Sequence, residues 1–140
     1  MRAAITTPFR QESLIGTHDL LTDTLRLALY TSASDVSVST AEYGEATNEV
    51  AAGDGYTPGG ELITGGQIVV DGRTVIFTFA DVEWELASFT ARYGLLYNAD
   101  KALKSIAVFD LLIDRNGTGA TFRLKVPPAN AATGIVRLAG

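Results

Sequence analysis

The chain has 140 residues, a net charge of −5, 46% hydrophobic residues, no cysteine and one histidine. That length suits one domain with its own core, and the lack of cysteine excludes disulfides, thiol nucleophiles and zinc-finger sites, as the lone histidine excludes multi-histidine metal centres. The acidic balance argues against a nucleic-acid partner held by counterion release. No apolar run reaches the roughly 20 residues that span a bilayer, so no membrane partner is expected, and the first eight residues read as no secretory signal. The mean hydropathy of +0.17 is slightly apolar for so small a chain and hints at surface hidden against partners.

Near the start, Pro8 suits a first helical turn, and Phe9, Leu14 and Ile15 would share one face of a short helix stopped by Gly16. The run Leu25-Arg26-Leu27-Ala28-Leu29-Tyr30-Thr31 reads as a buried strand. Residues 32–61 turn rich in Ser, Thr, Ala, Gly and acids. They predict a long loop excursion with a helical turn near 41–49 and tight turns at 53–56 and 57–60. The strand 62–70 is followed by Asp71-Gly72, a two-residue hairpin signal, and by a strand over 74–80 with Val75, Phe77 and Phe79 on one face. Residues 81–85 set Val82 and Trp84 against acids on the other side. Residues 89–97 alternate, and 105–114 are apolar more continuously, as a central strand requires. Asn116-Gly117 predicts another tight turn. Ala120, Phe122, Leu124 and Val126 then face inward, Pro127-Pro128 ends that strand, and 134–138 offers a last one.

About eight short strands with almost no helix predict an all-β fold. The expected architecture is a β-sandwich, jelly-roll-like, forming a single domain over residues 1–140 with a short N-terminal helix and a long acidic loop excursion. A closed barrel is the alternative.

Between Arg26 and Arg73 there is no lysine or arginine, while Asp35, Glu42, Glu45, Glu49, Asp54, Glu61 and Asp71 lie there. Such a stretch is either a solvated acidic layer or an electrostatic face for a basic partner. His18 would need Ser13 or Ser88 brought beside it to act as a general base, and no serine stands in a Gly-x-Ser-x-Gly elbow. Its expected role is to pack or to bind a carbonyl while Thr17 and Asp19 make turn hydrogen bonds. Glu83 and Glu85 share one side of a strand, the spacing of a glycosidase pair but also of a wet strand face. Asp54, Asp71 and Asp81 offer oxygen ligands for calcium without EF-hand spacing. Arg92, Arg123 and Lys125 suit cross-strand salt bridges to Asp110 and Asp114. Tyr93 and Tyr97 fall on the apolar side of their strand and read as core, whereas Tyr56, among glycines, reads as an interface residue. No catalytic, metal-binding or cofactor-binding residue emerges, and no cofactor is expected.

An ordered set of fragments carries a resemblance. Phe9-Arg10-Gln11-Glu12, Gly16-Thr17-His18-Asp19-Leu20, Leu27-Ala28-Leu29-Tyr30-Thr31, Asn48-Glu49-Val50, Gly55-Tyr56-Thr57-Pro58-Gly59-Gly60 and Ala91-Arg92-Tyr93-Gly94-Leu95-Leu96-Tyr97 together resemble a family of small tailed-bacteriophage virion structural proteins. The agreement covers most of the chain and weakens after residue 115. It implies a structural component of the phage particle, assembled in the host cytoplasm and located in the virion, and it implies no catalytic residues. The expected function is a capsid decoration (cement) protein that stabilises the shell by binding between capsid subunits. A tail, baseplate or fibre component recognising host glycans is the alternative. The expected partner is the major capsid protein or another virion protein, and the expected assembly is a homo-oligomer, a trimer about a symmetry point of the shell. Residues 1–20 then read as a docking arm, and Arg2, Ile5, Phe9, Glu42, Glu45, Glu49 and Tyr56 are the partner-binding candidates.

Overall fold

The structure, a computed structural model, describes residues 1–139. The elements in chain order are β1 (Arg2–Ile5), α1 (Thr7–Ser13), β2 (Leu25–Tyr30), β3 (Glu61–Leu62), β4 (Gln67–Asp71), β5 (Thr74–Thr78), β6 (Val82–Ala87), β7 (Thr90–Asn98), β8 (Lys104–Asn116), β9 (Ala120–Leu124) and β10 (Val136–Leu138). The fold is all-β, as the alternation predicts.

The helix starts where a threonine can cap it. Thr6 Oγ1 accepts the Phe9 N–H at 3.2 Å, and Pro8 occupies the first turn, where its missing N–H costs nothing. Phe9 is buried, but Leu14 and Ile15 lie past the helix end and are exposed. The helical period simply does not extend that far.

Among the described residues three sheets form, in the orders β1-β8-β7-β2-β3, β10-β5-β4 and β6-β9. β6 runs on into β7 and β8 into β9, so residues 82–98 and 104–124 make one long bent ribbon. Its pairing extends from Val82 opposite Leu124 to Asn98 opposite Lys104. The ribbon bends where the register slips, beside Leu86 (φ 51°) and Leu112 (φ 72°), as bulges make strands do. The turn expected at Asn116-Gly117 does not reverse the chain. Asn116 still pairs with Thr90, and the N–H groups of Gly117 and Gly119 donate to the carbonyls of Phe89 and Ala87. Glycine is required at 117 because a Cβ there would collide with the Ala87 carbonyl.

Bending the ribbon lays the smaller sheets over the five-stranded one, and the core fills the space between them. Leu27, Leu29, Leu96 and Phe109 come from one side, and Phe77, Trp84, Phe122 and Val136 from the other. Trp84 meets Phe89 and Phe122 edge to face, an arrangement worth about 1 kcal/mol per pair beyond burial. The expected sandwich is therefore present, organised by the bent ribbon. The strand 62–70 is split into β3 and β4 at Thr64-Gly65-Gly66. On β5, Phe77 faces the core and Ile76 on the other side is also buried, because Gly134 packs against it there, whereas Val75, on the Phe77 side, is exposed.

The excursion forms a third layer. Ala28, Tyr30, Leu95 and Tyr97 point away from the main core and are covered by Val36, Tyr43 and Ala46. The helical turn expected near 41–49 is absent. The Tyr43 N–H donates to Leu103 and the Ala41 carbonyl accepts from Ser105, so the segment satisfies its backbone along a sheet edge.

The N-terminal segment is tied down rather than free. β1 pairs with β8 over Arg2–Asp110 to Ile5–Ala107, the Thr6 N–H donates to Ile106, and the Thr6 and Ser105 hydroxyls meet at 2.9 Å. Ile5 and Phe9, expected at a partner contact, are core residues. Their spacing on a strand and a helix turns both toward the same interior.

Candidate functional site

The densest polar constellation lies where the excursion runs along the edge of β2 and over the outer face of β2 and β7. Glu49 accepts from Tyr43 (2.7 Å), Tyr56 (2.7 Å) and the Gly59 N–H (2.8 Å). Tyr97 donates to the Gly59 carbonyl at 2.6 Å, and the Leu29 N–H donates to the Tyr56 hydroxyl at 3.0 Å. Tyr43 stacks on Tyr97 with ring centroids 4.7 Å apart. Burial, reinforced by the Glu49 charge, pushes the Tyr43 and Tyr56 phenols well above their ordinary range. They remain protonated donors, and the site acts as a clamp that holds the excursion on the sheet. Glu49 and Tyr56, both expected at a partner contact, are spent on this clamp. The buried Tyr30 hydroxyl and Trp84 indole N–H find no partner among the described residues.

A second network surrounds His18. Its Nε2 meets Glu12 at 2.8 Å, and the Asn98 amide donates to His18 Nδ1 (3.0 Å) and Asp23 (2.8 Å). Those partners assign the proton to Nε2. Lys101 donates to both Asp23 oxygens at 3.0 Å, and the ring leans on Phe9 with centroids 5.1 Å apart. The Asp23 carboxyl is held down to about 2 by the Asn98 amide first, then the Asp19 N–H and Lys101, against the opposing effect of burial. Ser13 Oγ donates to the Phe9 carbonyl at 2.8 Å, so both ring nitrogens and that hydroxyl already have structural partners. Asp19 Oδ1 accepts from the N–H groups of Leu21 and Thr22, the turn bonding expected of it. His18 packs against Phe9 as expected, and its ring nitrogens bind side chains in place of a carbonyl.

The remaining candidates are separate. Glu83 and Glu85 face solvent, and Arg123 donates to Glu83 at 2.7 Å, not to Asp110 or Asp114, because β9 pairs with β6. Arg92 donates to Asp110 at 2.8 Å, as expected. Asp71 accepts from the Ala131 N–H and Asp81 from the Val126 N–H, and among the described residues no acidic cluster gathers metal ligands. No helix among the described residues is long and apolar enough to cross a membrane. Arg2, Glu42 and Glu45 are exposed.

Sequence reading missed the exposed apolar residues. Leu112 (45% exposed) and Ile113 (63%) stand at the ribbon bend. Leu112 also lines an open cleft of about 430 Å³ with Met1, Arg2, Pro127 and Arg137. A second set, Ile68, Val70, Val75 and Leu138, is exposed on the three-stranded sheet. The signal available was an apolar run with nothing assigned to cover it. No protein-family model, curated protein or solved structure matches the chain.

Proposed function

We propose that this protein is a structural subunit of a tailed-phage particle, a capsid decoration protein that seats between capsid subunits and stabilises the shell, with no catalytic role. The ordered sequence fragments suggest the particle, and the outward pair Leu112-Ile113 carries the contact. A left-handed leucine costs roughly 1–2 kcal/mol, and here that conformation aims a large apolar side chain at solvent beside Met1, Arg2 and Arg137. Exposed apolar anchors rimmed by methionine and arginine are the composition of a binding surface. The partner surface is that of the major capsid protein or another virion protein, and Arg2 stays among the contact residues.

Leu112→Gly separates contact from folding. It relieves the left-handed strain, so the isolated protein should unfold at the same or a higher denaturant concentration, while occupancy on particles should fall about tenfold. Ile113→Glu should lower occupancy likewise. Full occupancy with both variants would remove the proposed contact. Copy number separates shell from tail: a value matching the capsid subunits supports decoration, and one matching the tail assigns the protein there. The tail reading would use the groove between β1 and residues 36–38, where Tyr93 stands beside Asp110.

A further inference from the structure

β4 is an edge strand of the sheet β10-β5-β4. It pairs with β5 through Gln67–Thr78, Val69–Ile76 and Asp71–Thr74. A two-residue loop closes on a hydrogen-bonded pair, so Gln67, Val69 and Asp71 turn their main-chain groups toward β5. Ile68 and Val70 turn theirs outward, where no main-chain group among the described residues meets them. Ile68 and Val70 are 46% and 67% exposed. Val70, Val75 and Leu138 lie in line across the sheet, so the open edge borders an apolar face.

The other edges are blunted in the ways that prevent strand addition. β3 has two residues, β6 carries Glu83 and Glu85, β9 carries Arg123, β1 begins with Arg2, and β10 is three residues long with Arg137 at its centre. The interior of β4, Ile68-Val69-Val70, has no charge, no proline and no register slip.

We infer that β4 is a self-association edge that pairs antiparallel with β4 of a second copy about a twofold axis at Val69. In that register Ile68 of one copy and Val70 of the other exchange N–H···O=C bonds, and the symmetric pair does the same. Cross-strand neighbours share a face, so Ile68 meets Val70 as an apolar pair. A one-residue slip would set an outward-facing residue against one whose groups are already taken by β5. The only charge on the strand, Asp71, falls opposite the Gln67 amide and not opposite a second carboxylate. The strand is thus complementary to itself in hydrogen bonding, face and charge, which selects a second copy over a foreign strand. Two three-stranded sheets become one continuous sheet. The inference rests on the geometry of β4 and is independent of the virion reading.

Sedimentation equilibrium of the full chain, with amide hydrogen exchange read at Ile68 and Val70, tests it. The expected result is a dimer at micromolar concentration and protection of those two amides that rises with concentration. Val70→Pro removes only an outward N–H, a position where an edge strand tolerates proline, and Val70→Lys sets a charge against Ile68. Each should weaken the dimer about tenfold or more and leave the monomer folded. Gln67→Lys faces Asp71 of the other copy and should tighten the dimer a few-fold, an effect specific to this register. A chain monomeric at all concentrations, or a dimer indifferent to both Val70 variants, would overturn the inference. So would amides protected only on assembled particles, which would assign the edge to another protein's strand.

Discussion

Tyr30 belongs to the outer layer and Tyr56 to the main core, and their hydroxyls have opposite hydrogen-bonding fates. Tyr56 donates to Glu49 and accepts from the Leu29 N–H, so Tyr56→Phe leaves both groups short of a partner. Chemical denaturation should show a loss of about 1–3 kcal/mol. The buried Tyr30 hydroxyl has no partner among the described residues, so Tyr30→Phe should be neutral or stabilising by about 1 kcal/mol. Equal losses for the two variants would contradict the clamp. At this scale the sequence was least informative. Tyr56 looked like an interface residue because glycines flank it, but its partners are seven and 27 positions away. His18 likewise meets Glu12 and Asn98, the latter 80 residues distant, which no local spacing reveals.

At the scale of elements, the strand positions were largely legible because the period of two is local. Val82 and Trp84 face inward as the alternation predicts, and Asp71-Gly72 marks the β4–β5 hairpin. Connectivity between elements was not legible. Four strands that read as separate are one bent ribbon, and Asn116-Gly117 continues a pairing in place of reversing it, because glycine serves close approach as readily as turning. The first strand is not legible in the sequence, since Arg2-Ala3-Ala4-Ile5 is too short to alternate clearly. Deleting residues 1–7 removes the β1 pairing, Ile5 burial and the Thr6 cap together. That should cost about 3 kcal/mol or more and lower the thermal midpoint by about 10 °C, as read by circular dichroism. An unchanged midpoint would show that the segment is a free arm after all.

Over the whole molecule, acid sensitivity follows from carboxylates tied into it at distant points. Asp23 is lowered from 3.8 to about 2 by Asn98, the Asp19 N–H and Lys101, Asp110 is lowered chiefly by Arg92, and Asp35 by Thr47. A carboxyl whose folded value lies below its unfolded one stabilises the fold above the unfolded value and loses that contribution as pH falls through the folded one. Unfolding free energy should therefore drop between pH about 4 and about 2, with about 1–2 kcal/mol of it due to Asp23. Asp23→Asn should flatten the profile in that window, and an unchanged profile would contradict the network. The sequence by itself determined the all-β class, most strand positions, the acidic excursion and the lack of thiol chemistry, since composition and short periodicity are local properties. Only the tertiary structure decided that the excursion is a third layer clamped by Glu49, that the N-terminus is an edge strand, and that β4 is left open. Each of these depends on which distant groups the folded chain brings within hydrogen-bonding or packing distance.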